Sequence, residues 1–122
     1  MLIVPKLYVI SYYRIRSATI NGTTYPKKAV VVCAIEDNLP VFGKIEDLIV
    51  TPSHECLFVL SILTTYSNRH FHCFEVIGTS SPELFVCRHR DLVDYHPLHI
   101  CQQYGPNGNL SICLKYNVMK KK

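Results

Sequence analysis

The chain has 122 residues, 48% hydrophobic and 18% charged, which supplies one sizeable core and is the composition of a globular rather than a disordered protein. Its net charge of +4 overstates its basic character: Lys120, Lys121 and Lys122 supply three units, leaving 10 Lys+Arg against 9 Asp+Glu elsewhere. That balance lacks the basic footprint of a dedicated nucleic-acid binder, and no apolar run reaches the length of a membrane span.

Eight Tyr, five Phe and many Val, Ile and Thr tilt the chain towards strand. Residues 1–122 read as a single β domain, with 1–11 an N-terminal edge strand or arm and 117–122 a basic tail. Pro5 in the arm cannot donate to a ladder, which suits an edge. Tyr13 to Ile20 alternates apolar and polar side chains, with Arg14 and Arg16 on one face. Asn21-Gly22 then gives a two-residue hairpin turn, and Pro26 ends the return strand.

Ala29–Ile35 reads as a buried strand, followed by a turn at Glu36-Asp37-Asn38 and a restart at Pro40. In the next strand Gly43 suggests a bulge or a close crossing, and from these a bend that lets the sheet close. Cys56–Thr65 is almost continuously apolar to Leu63, as expected of a central strand covered on both faces. A turn at Tyr66–Arg69 leads into a strand from His70 to Ile77. A loop over Gly78–Pro82 and a short strand Leu84–Cys87 follow. Arg88–Pro97 carries no strand pattern and is expected to hold one helical turn near 89–95. Leu98–Gln103 and Leu110–Tyr116 form a last pair. The sum is all-β: a bent antiparallel small barrel or sandwich of eight to nine short strands.

Six cysteines, most of them within apolar runs, behave as small hydrophobes and are expected to be reduced. MLIVPKLYVI lacks the basic start and cleavage-like site of a signal peptide, so the expected location is intracellular. His70, His72, Cys87 and His89 have the two-residue strand spacing that could bring four zinc ligands together, but not the usual C-x₂₋₄-C spacing. No cofactor is expected. Neither a G-x-S-x-G segment nor a phosphate-cradling glycine cluster occurs, and Glu46-Asp47 are strand neighbours facing opposite ways. Asp94 and His96 are close enough to orient each other. The expectation is a protein that is not an enzyme.

Two binding surfaces remain. Tyr12, Tyr13, Phe42, Tyr66, Phe71 and Tyr95 are candidate peptide-binding aromatics, since small barrels take peptides at strand edges or in aromatic clefts. Arg14, Arg16, Lys27 and Lys28, with the lysine tail, are the candidates for nucleic acid, beside tyrosines that could stack bases. A strand-edge dimer is a further expectation.

The run VFGKIEDLIV, ECLFVLSILTT, HFHCFEV and DLVDYHPLHI, within residues 12–116, is similar to a C-terminal β-domain of uncharacterised animal proteins associated with transposable elements. Phe42-Gly43-x-Ile45, Cys56–Leu63, His72-x-Phe74-x-Val76 and Leu92-Val93-Asp94 carry that similarity. The same order, with Glu83-Leu84-Phe85, resembles a distant bromo-adjacent homology (BAH) domain, a bent barrel of chromatin proteins. It departs at Thr64-Thr65-Tyr66-Ser67, where that family carries Trp-Tyr-x-x-Pro-Glu-Asp. The resemblance implies an interaction module in a chromatin or mobile-element setting, nuclear rather than cytoplasmic, with a protein or peptide partner.

Overall fold

A computed structural model of the chain describes residues 2–3, 13–68, 73–102 and 110–113. Their strands, in chain order, are β1 (Leu2–Ile3), β2 (Tyr13–Ile15), β3 (Ser17–Ile20), β4 (Thr23–Pro26), β5 (Val30–Glu36) and β6 (Leu39–Val50). β7 (Cys56–Asn68), β8 (Cys73–Arg88), β9 (Asp94–Leu98), β10 (Cys101–Gln102) and β11 (Leu110–Cys113) follow, with one 3₁₀ turn at His89–Asp91. Nine strands make one antiparallel sheet in the order β10-β11-β8-β7-β6-β5-β9, with β1 on β8 and β2 on β6. The sheet curls into a half-barrel, and β3–β4 form a separate two-stranded sheet. The all-β, antiparallel fold read from the sequence is therefore present. Among the described residues no helix is long and apolar enough to cross a membrane.

The details differ in instructive places. Tyr13–Ile20 is two strands, because the chain leaves the large sheet at Arg16: β2 pairs with β6 and β3 pairs with β4. The hairpin turn is as expected, with Asn21 and Gly22 at φ 51° and 82° and Ile20 opposite Thr23. The central strands are long, at 12, 13 and 16 residues for β6, β7 and β8. The loop expected at Gly78–Pro82 is absorbed into β8 as an irregularity. Between Ser61↔Leu84 and Leu63↔Thr79, four residues of β8 lie opposite one of β7. Asp94–Pro97, read as non-strand, joins Leu98 in the edge strand β9, and an edge accommodates Pro97.

β5 explains where the core sits. Val30, Val31 and Val32 are all fully buried, because the strand has an apolar cluster on each face. Val31 and Cys33 join Tyr25, Ile45, Leu48, Phe58, Leu60 and Leu92, over which the β3–β4 hairpin packs Ala18 and Ile20. Val30 and Val32 join Phe42, Leu63, Leu98 and Ile112, with Phe74 and Val76 at the margin. Phe42 meets Phe74 edge-on, centroids 5.1 Å apart at 61°.

Gly43 keeps regular register with Val31 on one side and Ile62 on the other, so of the bulge and the close crossing expected there, the bulge is absent. The bulge lies three residues later, at Glu46, between Ile45↔Leu60 and Asp47↔Val59. Gly43 is the close crossing, the other of the two alternatives. A Cβ there would stand 2.9 Å from Leu60 Cδ1, 3.2 Å from Leu60 Cβ and 3.4 Å from Cys33 Sγ.

Candidate binding cleft

β6 and β7 pair from Val50↔Cys56 up to Gly43↔Ile62, and there the ladder ends. Beyond that point Leu39–Phe42 pair only with β5, and Leu63–Asn68 only with β8, among the described residues. Two neighbouring strands of one sheet therefore part. Between them lies a cleft of about 280 Å³ whose walls include Leu39, Pro40, Val41, Ile62, Tyr66 and Phe74. Leu39 and Tyr66 are about half exposed, at 49% and 50%, so apolar surface faces solvent at this opening. Glu36 and Asp37 also line it.

The local sequence accounts for this parting. Asp37 and Asn38 adopt φ 51° and 62°, the left-handed pair of a tight two-residue hairpin turn that Asp and Asn tolerate. That turn fixes Glu36↔Leu39 as the first pair of the β5–β6 ladder. The next pair, Ile35↔Pro40, is of the type whose backbone groups turn away from the partner strand. Pro40 thus sends a carbonyl and no N–H towards the cleft. A β7 strand that continued alongside would find no donor there.

Of the six aromatic candidates, Tyr12 and Phe71 lie outside the described residues. The other four are not brought together. Tyr66 lines the cleft, whereas Phe42 is fully buried in the second cluster and has no face for a ligand. Tyr13 is exposed on β2, opposite Val50, and Tyr95 stacks on His89 with centroids 4.6 Å apart at 13°.

The basic candidates are mostly engaged within the fold. Arg14 Nε lies 2.7 Å from Asp47 Oδ2, and Lys27 Nζ 3.9 Å from Oδ1 of the same carboxylate. Lys28 Nζ lies 3.2 Å from Glu46 Oε1, and the Ser61 hydroxyl donates to Glu46 Oε2 at 2.7 Å. Burial pushes the Glu46 carboxyl up, but Ser61, Lys28 and Lys44 outweigh it and hold that carboxyl below its ordinary value. Among the described residues Arg16 is in no ion pair, unlike the other three.

His70 and His72 of the histidine–cysteine set lie outside the described residues. Cys87 is buried, and desolvation pushes its thiol up to about 11. His89 belongs to a hydrogen-bonded cluster. Buried Tyr25 donates its hydroxyl to the Tyr95 carbonyl and lies 3.1 Å from His89 Nε2. With the phenol proton given to the carbonyl, Nε2–H is the donor in the second bond. Burial holds the His89 imidazole below its ordinary value. Beside this cluster is a second depression, about 310 Å³, lined by Ile20, His54, Glu55, Cys56, Arg88 and Arg90 as well as His89. Glu55 there accepts from Arg88 Nε at 3.0 Å.

Other chemistry is muted. Asp94, 5% exposed, accepts from the His96 backbone N–H and meets His96 Nδ1, both at 2.8 Å, the mutual orientation expected from their spacing. The thiols of Cys33, Cys56 and Cys87 are free. Burial raises Cys33 to about 12 and also raises Cys56, which disfavours the thiolate. Comparison with protein-family models, curated proteins and solved structures returns no match.

Of the cleft's walls, Tyr66 alone is among the aromatics that the sequence marks for binding, and the rest of the cleft is not. Its signals were Asp37-Asn38, a hairpin dipeptide, and Pro40 inside a strand pattern, which marks an edge without a ladder partner.

Proposed function

We propose that this chain is a non-catalytic interaction module that holds an extended segment of a protein partner in the cleft between β6 and β7. The observation that carries this reading is the parting of the two strands, with half-exposed Leu39 and Tyr66 at the opening. Strand walls with alternating side chains suit an extended peptide, which offers side chains and backbone to the same groove. Support for the absence of catalysis comes from the side chains that would perform it. Glu46, Asp47 and Glu55 are tied to cations, and the Cys33 and Cys87 thiols are pushed to about 12 and about 11. Free thiols favour a reducing compartment. Chromatin is the setting we propose, and it rests on the residues shared with the BAH domain.

Selection of random peptides displayed on phage tests the reading. Enriched peptides should lose binding on Leu39→Ser and Tyr66→Ser and keep it on Leu110→Ser, an equally exposed apolar position on β11. Peptides indifferent to the first two substitutions would place the binding surface elsewhere.

A further inference from the structure

We infer that the segment held in this cleft is basic as well as extended, carrying Lys or Arg beside apolar side chains. The inference rests on the cleft being the binding surface and adds the chemistry of its occupant.

Three observations point the same way. Glu36 and Asp37 line the cleft, and neither is in an ion pair among the described residues. Elsewhere Glu46, Asp47 and Glu55 each have a cation within 3.2 Å. Among the described residues no Lys, Arg or His lines the cleft, so none of them neutralises the two carboxylates. Finally, the hairpin turn at Asp37 and Asn38 presents the carboxylates from a tightly constrained backbone, and Pro40 keeps its carbonyl there but lacks the N–H donor another residue would offer. The mouth is thus rich in acceptors. A partner bearing ammonium or guanidinium groups supplies the missing donors, while its apolar side chains cover Leu39 and Tyr66. An acidic partner would face two uncompensated carboxylates.

Fluorescence anisotropy with three labelled nine-residue peptides decides it, each with Val at every second position and Lys, Thr or Glu between. The Lys peptide should bind about tenfold tighter than the Thr peptide, the size of two exposed ion pairs. The Glu peptide should be weakest. Salt should weaken the Lys peptide most, and Glu36→Lys with Asp37→Lys should reverse the order, while Leu39→Ser should weaken all three. Circular dichroism of each variant checks that the fold is retained. Equal binding of the three peptides, still lost on Leu39→Ser, would overturn the basic partner and leave the cleft standing. Binding untouched by Leu39→Ser, absence of binding by all three, or self-association of the protein through Leu39 would overturn the cleft and this inference together.

Discussion

Tyr25 does more than fill space. Its ring packs on Phe58 with centroids 5.2 Å apart, and its hydroxyl ties the Tyr95 carbonyl to His89 across residues far apart in sequence. Tyr25→Phe keeps the ring and removes both bonds, leaving the carbonyl without that donor. The cost should be about 1–3 kcal/mol in denaturant unfolding, near the upper end if water cannot enter. Two glycines are needed for different reasons. At Gly22, φ is +82° and a Cβ would meet nothing within 4 Å, so Gly22→Ala should cost about 1–2 kcal/mol through backbone conformation alone. At Gly43 the backbone is ordinary strand but Leu60 and Cys33 fill the space, so Gly43→Val should cost about 1–3 kcal/mol through overpacking. Leu60→Ala should relieve part of the second penalty and none of the first, which a double-mutant cycle of melting measures.

Titration also acts at this scale. Glu46 is held below its ordinary value of 4.5, so the unfolded chain takes up a proton before the folded one does. Its stabilising contribution is complete above that value and lost as pH falls through the lower, folded one. His89 is held below 6.5. Here too the unfolded chain protonates first, so stability declines as pH drops below that value and levels off once the folded imidazole also protonates. Unfolding free energy should therefore fall in two stages on acidification, and Glu46→Gln should flatten only the more acidic stage.

At the scale of elements, the chain's pattern was most legible where local chemistry decides the outcome. Asn21-Gly22 can hardly be other than a tight hairpin turn, and Cys56–Leu63 is too apolar to lie anywhere but in the middle of the sheet. Legibility failed where long-range pairing overrules local signals. Pro97 reads as a breaker, but at a sheet edge it needs no ladder donor, so Asp94–Leu98 pairs with β5 through Val30↔Leu98 and Val32↔Asp94. Gly78 and Pro82 read as a loop, but the residues around them remain on β7 because an antiparallel ladder tolerates extra residues as an irregularity. The cleft was hidden for the same reason. It exists because β6 and β7 stop pairing at Gly43↔Ile62, and no local pattern states where a ladder ends. Nor could spacing reveal that Arg14 and Lys27 converge on one buried carboxylate at Asp47, which depends on the pairing of β2 with β6.

Across the whole molecule, one sheet serves two apolar clusters, and β5, β6 and β7 belong to both. Both strands that part, β6 and β7, are thus anchored in buried clusters on either side of the gap. The cleft is therefore a preformed gap between supported strands rather than a loop-built surface, and an occupant would lose little to ordering the protein. The basic first hairpin is a different kind of surface, with Arg14, Lys27 and Lys28 already paired to acids of β6. It should therefore add little affinity for nucleic acid at physiological salt.

The central claim is that binding takes place where β6 and β7 part, and methyl NMR with a peptide selected on the protein tests it most directly. The largest shifts should fall on Leu39, Val41, Ile62 and Leu63, with Ala18 and Ile20 of the hairpin unmoved. Shifts centred on Ala18 and Ile20, with Leu39 and Ile62 unchanged, would contradict it.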